Sequence, residues 1–344
     1  MRVSPAMLEY ALAATQFTGA GRLIGRRYRG VGSIFIGHSV VLDRRDYLLD
    51  ELRTGARYLE AIIDRLLAEG TDIVSLDEAI GRLHMTRPRP FACFTFDDGY
   101  RDNLTVALQI FQRQRLPFTV FVTTAMIDRT IHHWWSGIAE IVKAHDLVEA
   151  DETAARYPCA TFADKVSTYR ELKRAVETSA LSPAGLAALF RSYGISLPEI
   201  IDRDALSEAE LRKLAASPLV EIGAHTTTHP HLRRLAAADA LREMQDNKAW
   251  LESLLQRPVR HFAYPFGGPQ SCGAREAALA RRAGFSSAVT TRLGNILPAH
   301  REHLTAVPRL RLFSEYEDLR LIDFQRSGVL SALLTRFGSP AVTV

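Results

Sequence analysis

Cysteine is scarce in this chain. Cys93, Cys159 and Cys272 are the three present in 344 residues, and no two of them stand in a Cys-x-x-Cys pair. Neither a disulfide framework nor a thiolate zinc site is expected on that count. Long apolar runs are missing as well. Pro5, Glu9, Gln16 and the basic group Arg22, Arg26, Arg27 and Arg29 interrupt the N-terminus, so no signal-peptide h-region is visible and no stretch is long enough to span a bilayer. The sequence therefore reads as cytoplasmic, without a transmembrane segment. Charge of one sign is in thin excess, with 43 basic against 39 acidic side chains giving a net +4. No basic run is interleaved with aromatics, so a nucleic-acid partner is not expected.

What is present is apolar sequence in short, regular pieces. Hydrophobic residues make up 47% of the chain, enough for a large packed core. Runs rich in β-branched and aromatic residues alternate with helical patterns, which predicts an α/β fold with a parallel sheet or barrel and helices outside. Strands are expected at Ser33 to Gly37, Ile73 to Ser75, Phe91 to Phe96, Phe118 to Thr123, Leu219 to Ala224, His261 to Tyr264 and Ser286 to Thr290. Helices are expected at Tyr47 to Glu69, Leu104 to Arg115, Ala236 to Leu255 and Ala274 to Ala283. From about 131 to 206 the rhythm breaks into helical pattern without a convincing strand, as in an inserted helical subdomain.

Three motifs follow apolar strands, where parallel α/β folds carry their functional loops. In Thr95-Phe96-Asp97-Asp98-Gly99-Tyr100, two adjacent carboxylates enter one site only if the backbone turns there, and Gly99 permits such a turn. A bound cation would relieve their repulsion, taking one carboxylate as ligand and leaving the other as a base. The plainer alternative is a helix N-cap. In His225-Thr226-Thr227-Thr228-His229-Pro230, a spacing of four places two imidazoles on one side of a helical turn, close enough to share a metal. With Asp98 they form a three-ligand set that leaves coordination open for water. His231 reads as a surface or supporting residue. In Phe262-Ala263-Tyr264-Pro265-Phe266-Gly267-Gly268, the N–H of Phe266 could face a developing oxyanion, the alternative being an ordinary strand end.

On these motifs, in this order, the chain resembles the polysaccharide deacetylases, the chitooligosaccharide deacetylase superfamily with nodulation-protein-B homology, also called carbohydrate esterase family four. The resemblance implies a distorted, TIM-like (β/α) barrel with fewer than eight repeats over 33–312, carrying the helical insertion at about 131–206. An N-terminal extension over 1–32 and a C-terminal helical tail over 313–344 flank it. It further implies a metal-dependent hydrolase removing N-acetyl groups from an amino-sugar oligosaccharide or polysaccharide. Asp97 would be the general base, Asp98, His225 and His229 the ligands of a divalent ion, usually Zn2+, and Phe266 the oxyanion donor, with Thr226 supporting the site. Tyr100, Trp135 and Tyr264 are the expected substrate-binding residues, although Trp134 and Trp135 also suit core packing.

Two departures from the family stand out. Many members have an arginine, paired with the catalytic aspartate, where this chain has Ala263. Arg309, after the last expected strand, is the candidate substitute. The family's late histidine, which protonates the leaving amine, has no clean match, and His303 is preferred over His300. An O-acetyl esterase or other amidase on the same metal site, or an inactive saccharide-binding protein, are the alternative functions.

Overall fold

The computed structural model describes residues 25, 27–42, 52–312, 317–339, 341 and 344. The N-terminal extension up to residue 24, the expected start of the helix at 47–51 and the beginning of the C-terminal tail at 313–316 lie outside the described residues.

Seven parallel strands close into a barrel. They are β1 (Gly32–Gly37), β2 (Phe91–Phe96), β3 (Phe118–Val122), β4 (Val220–Ala224), β5 (His261–Ala263), β6 (Ser287–Leu293) and β7 (Val307–Arg311). Each pairs with the next in sequence, and β7 and β2 both pair with β1, which closes the ring. This is the distorted (β/α) barrel with fewer than eight repeats that the family resemblance implied. A short strand at Asp72–Ile73 pairs with the first half of β2, below the point where β3 takes over that edge.

Alternation along the strands sorts the side chains into two layers. Phe35, Phe94, Phe96, Val120, Val122, Ile222, Phe262 and Leu310 face outward into the core shared with the helices. Ile34, Cys93, Phe121, Ala263, Val289 and Val307 fill the interior. Residues of β2 are buried on both faces, which is why its sequence is apolar almost throughout.

Two elements differ from the sequence-based expectation. Val307–Arg311 is a strand, whereas the sequence placed Arg309 beyond the last one. Pro308 and two arginines disguise it, and the register of β6 against it shifts between Val289 and Leu293, an irregularity of the kind that accommodates proline. The insertion is not all helical either. Leu147–Ala150 and Ala155–Pro158 form an antiparallel hairpin whose first strand alternates exposed and buried, too short to register as a periodic signal. Around it, helices Trp134–Ala144, Phe162–Glu177 and Pro183–Ser192 enclose a separate core built on Ile138, Ile141, Leu172 and Phe190.

The end of the insertion is clipped back onto the Asp-Asp loop. Leu206 N–H donates to Gly99 O at 3.1 Å, Arg101 N–H donates to Asp204 O at 2.7 Å, and Tyr100 bridges Ala205. The inserted helices and hairpin are thereby fastened beside the strand ends where the motifs lie.

Candidate metal centre and active site

The first motif leaves β2 along the line of the strand. Asp97 N–H donates to Gly37 O at 3.0 Å, continuing the ladder to β1 for one residue. The backbone then turns: Asp98 has φ 79° and Gly99 φ 96°. Both carboxylates thus enter one site, as expected, but Asp98 itself takes a left-handed conformation together with the glycine. Their surroundings differ. Arg309 reaches Asp97 through both ends of its guanidinium, with Nη1 to Oδ1 and Nη2 to Oδ2 each 2.7 Å. Arg309 is itself held by Thr290 O and Thr95 Oγ1, both at 2.9 Å, and neither member of the pair is more than 2% exposed. Burial alone would raise the Asp97 carboxyl, yet the charge and hydrogen bonds of Arg309 keep it below the ordinary carboxylate range. The small side chain at Ala263 and the long one at Arg309 both belong to the barrel interior, so an arginine arriving from β7 takes the place left open on β5.

Asp98 has no such cation. Its Oδ1 lies 3.3 Å from His225 Nε2 and 3.4 Å from His229 Nε2, and this buried oxygen accepts no hydrogen bond among the described residues. Burial would raise its carboxyl, but the two imidazoles hold it well below the usual value. His225 Nδ1 is 2.7 Å from Ala263 O, which can only accept, so Nδ1 carries a hydrogen and Nε2 is the nitrogen turned toward Asp98; burial opposes charge on this ring, but Asp98 and Asp97 raise it. Three ligand atoms within 4.8 Å of one another, one of them buried without a hydrogen bond, fit a metal ion.

The second motif is not a helical turn. Thr226 and His229 have φ 67° and 59°, and the segment bends back so that His229 N–H donates to Thr226 Oγ1 at 3.1 Å. Helix was the wrong geometry because the loop is pinned from both sides. Thr124 and Ala125 donate to Thr226 O and Thr227 O, while Glu243 accepts from the N–H groups of Thr227 and Thr228. Asn247, fully buried on helix Ala237–Leu255, accepts from His225 N–H at 2.8 Å and donates to Val122 O and Thr124 Oγ1. The sequence reading missed it. An asparagine in the apolar stripe Ala240, Met244, Asn247, Leu251, Leu254 was the signal available.

His38 was missed too. It follows β1 as Asp97 follows β2, and although burial depresses its imidazole, the charges of Asp98 and Asp97 act on it. His303 is not brought to the site. It is exposed on the segment leading into β7, and because all seven strands run parallel, residues before β7 lie at the far end of the barrel from Asp97. His300 is buried in that same segment, accepting from Leu297 N–H.

Of the expected substrate-binding residues, Trp135 stands beside the metal ligands with its ring 6.0 Å from that of His229. Its indole N–H donates to the Tyr100 hydroxyl at 3.4 Å, and that hydroxyl also lies 3.3 Å from His133 Nε2, an imidazole that burial pushes down to about 4. Trp134 packs into the insertion core. Tyr264 points away from the site: alternation places it with Phe262 on the outer face of β5, and its buried hydroxyl donates to Thr305 O at 2.8 Å. Phe266 has φ 59°, an N–H that donates to no group among the described residues, and a ring 4.9 Å from His229.

A closed parallel barrel with a two-histidine, one-aspartate cluster at its C-terminal rim defines the class of protein. Within that class the chain belongs to the polysaccharide deacetylase family, whose sequence pattern matches residues 84–182 and 186–287, more than half of the chain. No protein of curated function matches it. Among solved structures it is similar to the Streptococcus pyogenes deacetylase PplD in complex with acetate, at 17% identity and TM-score 0.55, over 84% of this chain and 96% of that one. It is also similar to the polysaccharide deacetylase BC0361 from Bacillus cereus, at 17% and 0.53 over 86% and 68%. A third similar structure is the BpsB deacetylase domain from Bordetella bronchiseptica, at 16% and 0.51 over 81% and 94%. No helix among the described residues is long and apolar enough to cross a membrane.

Proposed function

We propose that the protein is a zinc-dependent hydrolase that removes N-acetyl groups from an amino-sugar oligosaccharide or polysaccharide, with chitooligosaccharides as the model substrate. One observation carries this reading: two adjacent aspartates in different surroundings, Asp97 locked by Arg309 and Asp98 facing two imidazole Nε2 atoms with an oxygen that accepts no hydrogen bond among the described residues. Family membership and the acetate held by the similar deacetylase PplD support acetyl as the group removed.

Asp98, His225 and His229 would hold the zinc, which when bound supplies a Lewis acid for the acyl carbonyl and for water. Asp97, kept ionised and fixed by Arg309, accepts the proton of the attacking water. The Phe266 N–H donates to the oxygen on which negative charge develops. His38, on the same rim as Asp97, takes the place assigned from sequence to His303: burial keeps its imidazole below the ordinary range, so the proton it passes to the leaving amine is the one that Asp97 has taken from water. Tyr100 and Trp135 form the wall beside His229, where an indole face suits the C–H face of a sugar ring.

Acetate release from N-acetylglucosamine oligomers tests the reading, using metal-stripped protein with and without zinc beside Asp97→Asn. Zinc-dependent release that Asp97→Asn abolishes is expected. Release from acetylated xylan but from no N-acetyl sugar would make the protein an O-acetyl esterase, and zinc binding without any turnover would make it a saccharide-binding protein.

A further inference from the structure

Four non-glycine residues with left-handed backbone surround the metal cluster: Asp98, Thr226, His229 and Phe266. The first three are braced by the cluster and by the buried hydrogen bonds already described. Phe266 is different, because it is an aromatic residue at φ 59° that is 39% exposed, beside the site. Bulky residues occupy that conformation only when their surroundings hold them there.

What holds it is a clamp with two arms. Thr291 on β6 grips the backbone, its Oγ1 donating to Phe266 O at 2.6 Å and its N–H donating to Gly267 O at 3.2 Å. Gly267 cannot be anything larger, since a Cβ there would lie 2.5 Å from Thr291 N. His231 grips the ring. Its imidazole lies parallel to the Phe266 ring, 3.7 Å between centroids at 5°, and its Nδ1 is 2.8 Å from Ser271 Oγ. Ser271 belongs to the same loop, its N–H donating to Gly268 O at 2.9 Å, so the arms form a closed circuit. The ring joins the backbone at Cα, so a ring stacked on His231 limits the backbone rotation that would carry the N–H away from the reacting carbonyl.

From this geometry we infer that His231 is a positioning residue for the reaction: its stacked imidazole, anchored on Ser271, fixes Phe266 so that its N–H meets the developing oxyanion. The inference rests on the hydrolase reading above and deepens it. Among the described residues the His231 side chain hydrogen-bonds to Ser271 and to no metal ligand, so its effect is expected in turnover before metal or substrate affinity.

The test measures kcat and KM on the zinc-loaded full chain, with tetra-N-acetylchitotetraose and with 4-nitrophenyl acetate, alongside zinc affinity by calorimetry. His231→Ala is expected to lower kcat about tenfold, within the range that small misplacements of a catalytic donor produce, while KM and zinc affinity stay within about twofold. His231→Phe keeps a stacking ring and is expected to restore kcat to within about threefold. His231→Asn keeps a partner for Ser271 without a ring and is expected not to. Should His231→Ala fail to fold, Ser271→Ala removes the anchor alone and is expected to lower kcat by about threefold. Wild-type kcat in His231→Ala or, failing its folding, in Ser271→Ala would overturn the inference. So would an asparagine variant as active as the phenylalanine one, or a loss explained by weaker zinc binding. If the wild-type protein releases acetate from neither substrate, the hydrolase reading itself fails, and this inference with it.

Discussion

The two ends of the barrel carry clusters of similar composition and opposite character. At the C-terminal rim stand Asp98, His225 and His229, and at the N-terminal end stand Asp77, Glu221 and His261, each set with its ligand atoms within 4.8 Å of one another. At the lower end hydrogen bonds are saturated. His261 Nε2 lies 3.0 Å from Asp77 and 3.1 Å from Glu221, its Nδ1 lies 2.8 Å from Ser287 Oγ, and Glu221 Oε2 also accepts from Leu76 N–H and Thr119 Oγ1. Burial opposes charge on His261, but the two carboxylates override it and raise the imidazole to about 9, so the cluster is an ion pair with its own proton. At the upper end the carboxylates raise the His225 imidazole as well, but Ala263 O takes its Nδ1 hydrogen and Asp98 Oδ1 accepts no hydrogen bond among the described residues. Residue identity alone does not make a metal site. The saturation of the hydrogen bonds decides it.

The sharpest way to break this comparison is to count zinc. His225→Ala is expected to lose zinc binding and at least about 10³-fold of the activity, whereas His261→Gln is expected to retain one zinc per chain, read by metal analysis after dialysis. Two zinc ions in the wild-type chain, one of them lost with His261, would mean that the lower cluster is a metal site after all. Arg309→Met comes next. It leaves Asp97 buried without its cation, a change that typically costs about 3–5 kcal/mol of stability, and the rate is expected to fall by about 10²-fold. Arg309 lowers the Asp97 carboxyl, so the stability from their pairing is present above the unfolded carboxylate range and lost as pH falls through the lower folded value. In the variant the acid limb of the rate profile should therefore move to higher pH. An unmoved limb would show that Arg309 does not tune Asp97.

The sequence revealed the upper cluster and concealed the lower one for a physical reason. Asp97, Asp98, His225 and His229 each follow an apolar strand, where a polar pair is conspicuous against its background. His261 and Glu221 sit inside strands, and their partner Asp77 lies on a helix more than 140 residues away in sequence, so only the closed barrel unites them. Arg309 was picked out because Ala263 left a role vacant, although its strand was hidden by Pro308. His303 was misplaced because proximity in sequence to the last strand says nothing about which end of the barrel a residue occupies. The turn at 225–229 depended on Glu243 and Asn247, contacts from a helix that no local spacing encodes.

The lower cluster makes its own, smaller prediction. Because the folded value of His261 is raised above that of the unfolded chain, its contribution is complete below about 6.5 and is lost as pH rises through about 9. Asp77 is partly exposed, so the amount at stake is discounted to on the order of 2 kcal/mol. Urea denaturation from pH 6.5 to 10 should show this loss in the wild type and a flatter profile in His261→Gln. Equal slopes would return His261 to an ordinary neutral imidazole and remove half of the contrast between the two ends.

The smallest effect is expected at Tyr264, which sequence assigned to the substrate and the structure places against the outer wall. Tyr264→Phe removes the hydroxyl that donates to Thr305 O and fills the same space, so about 1 kcal/mol of stability should be lost with KM unchanged. Trp135→Ala, by contrast, removes the ring beside His229 and should raise KM several-fold. Strand parity decides between them. Ala263, one residue earlier, points into the barrel, and the tyrosine after it must point out unless the strand has already ended. A raised KM in Tyr264→Phe, measured with the same oligosaccharide, would mean that the loop after β5 turns its tyrosine inward when substrate is bound, and that the outer wall on this side of the rim belongs to the site.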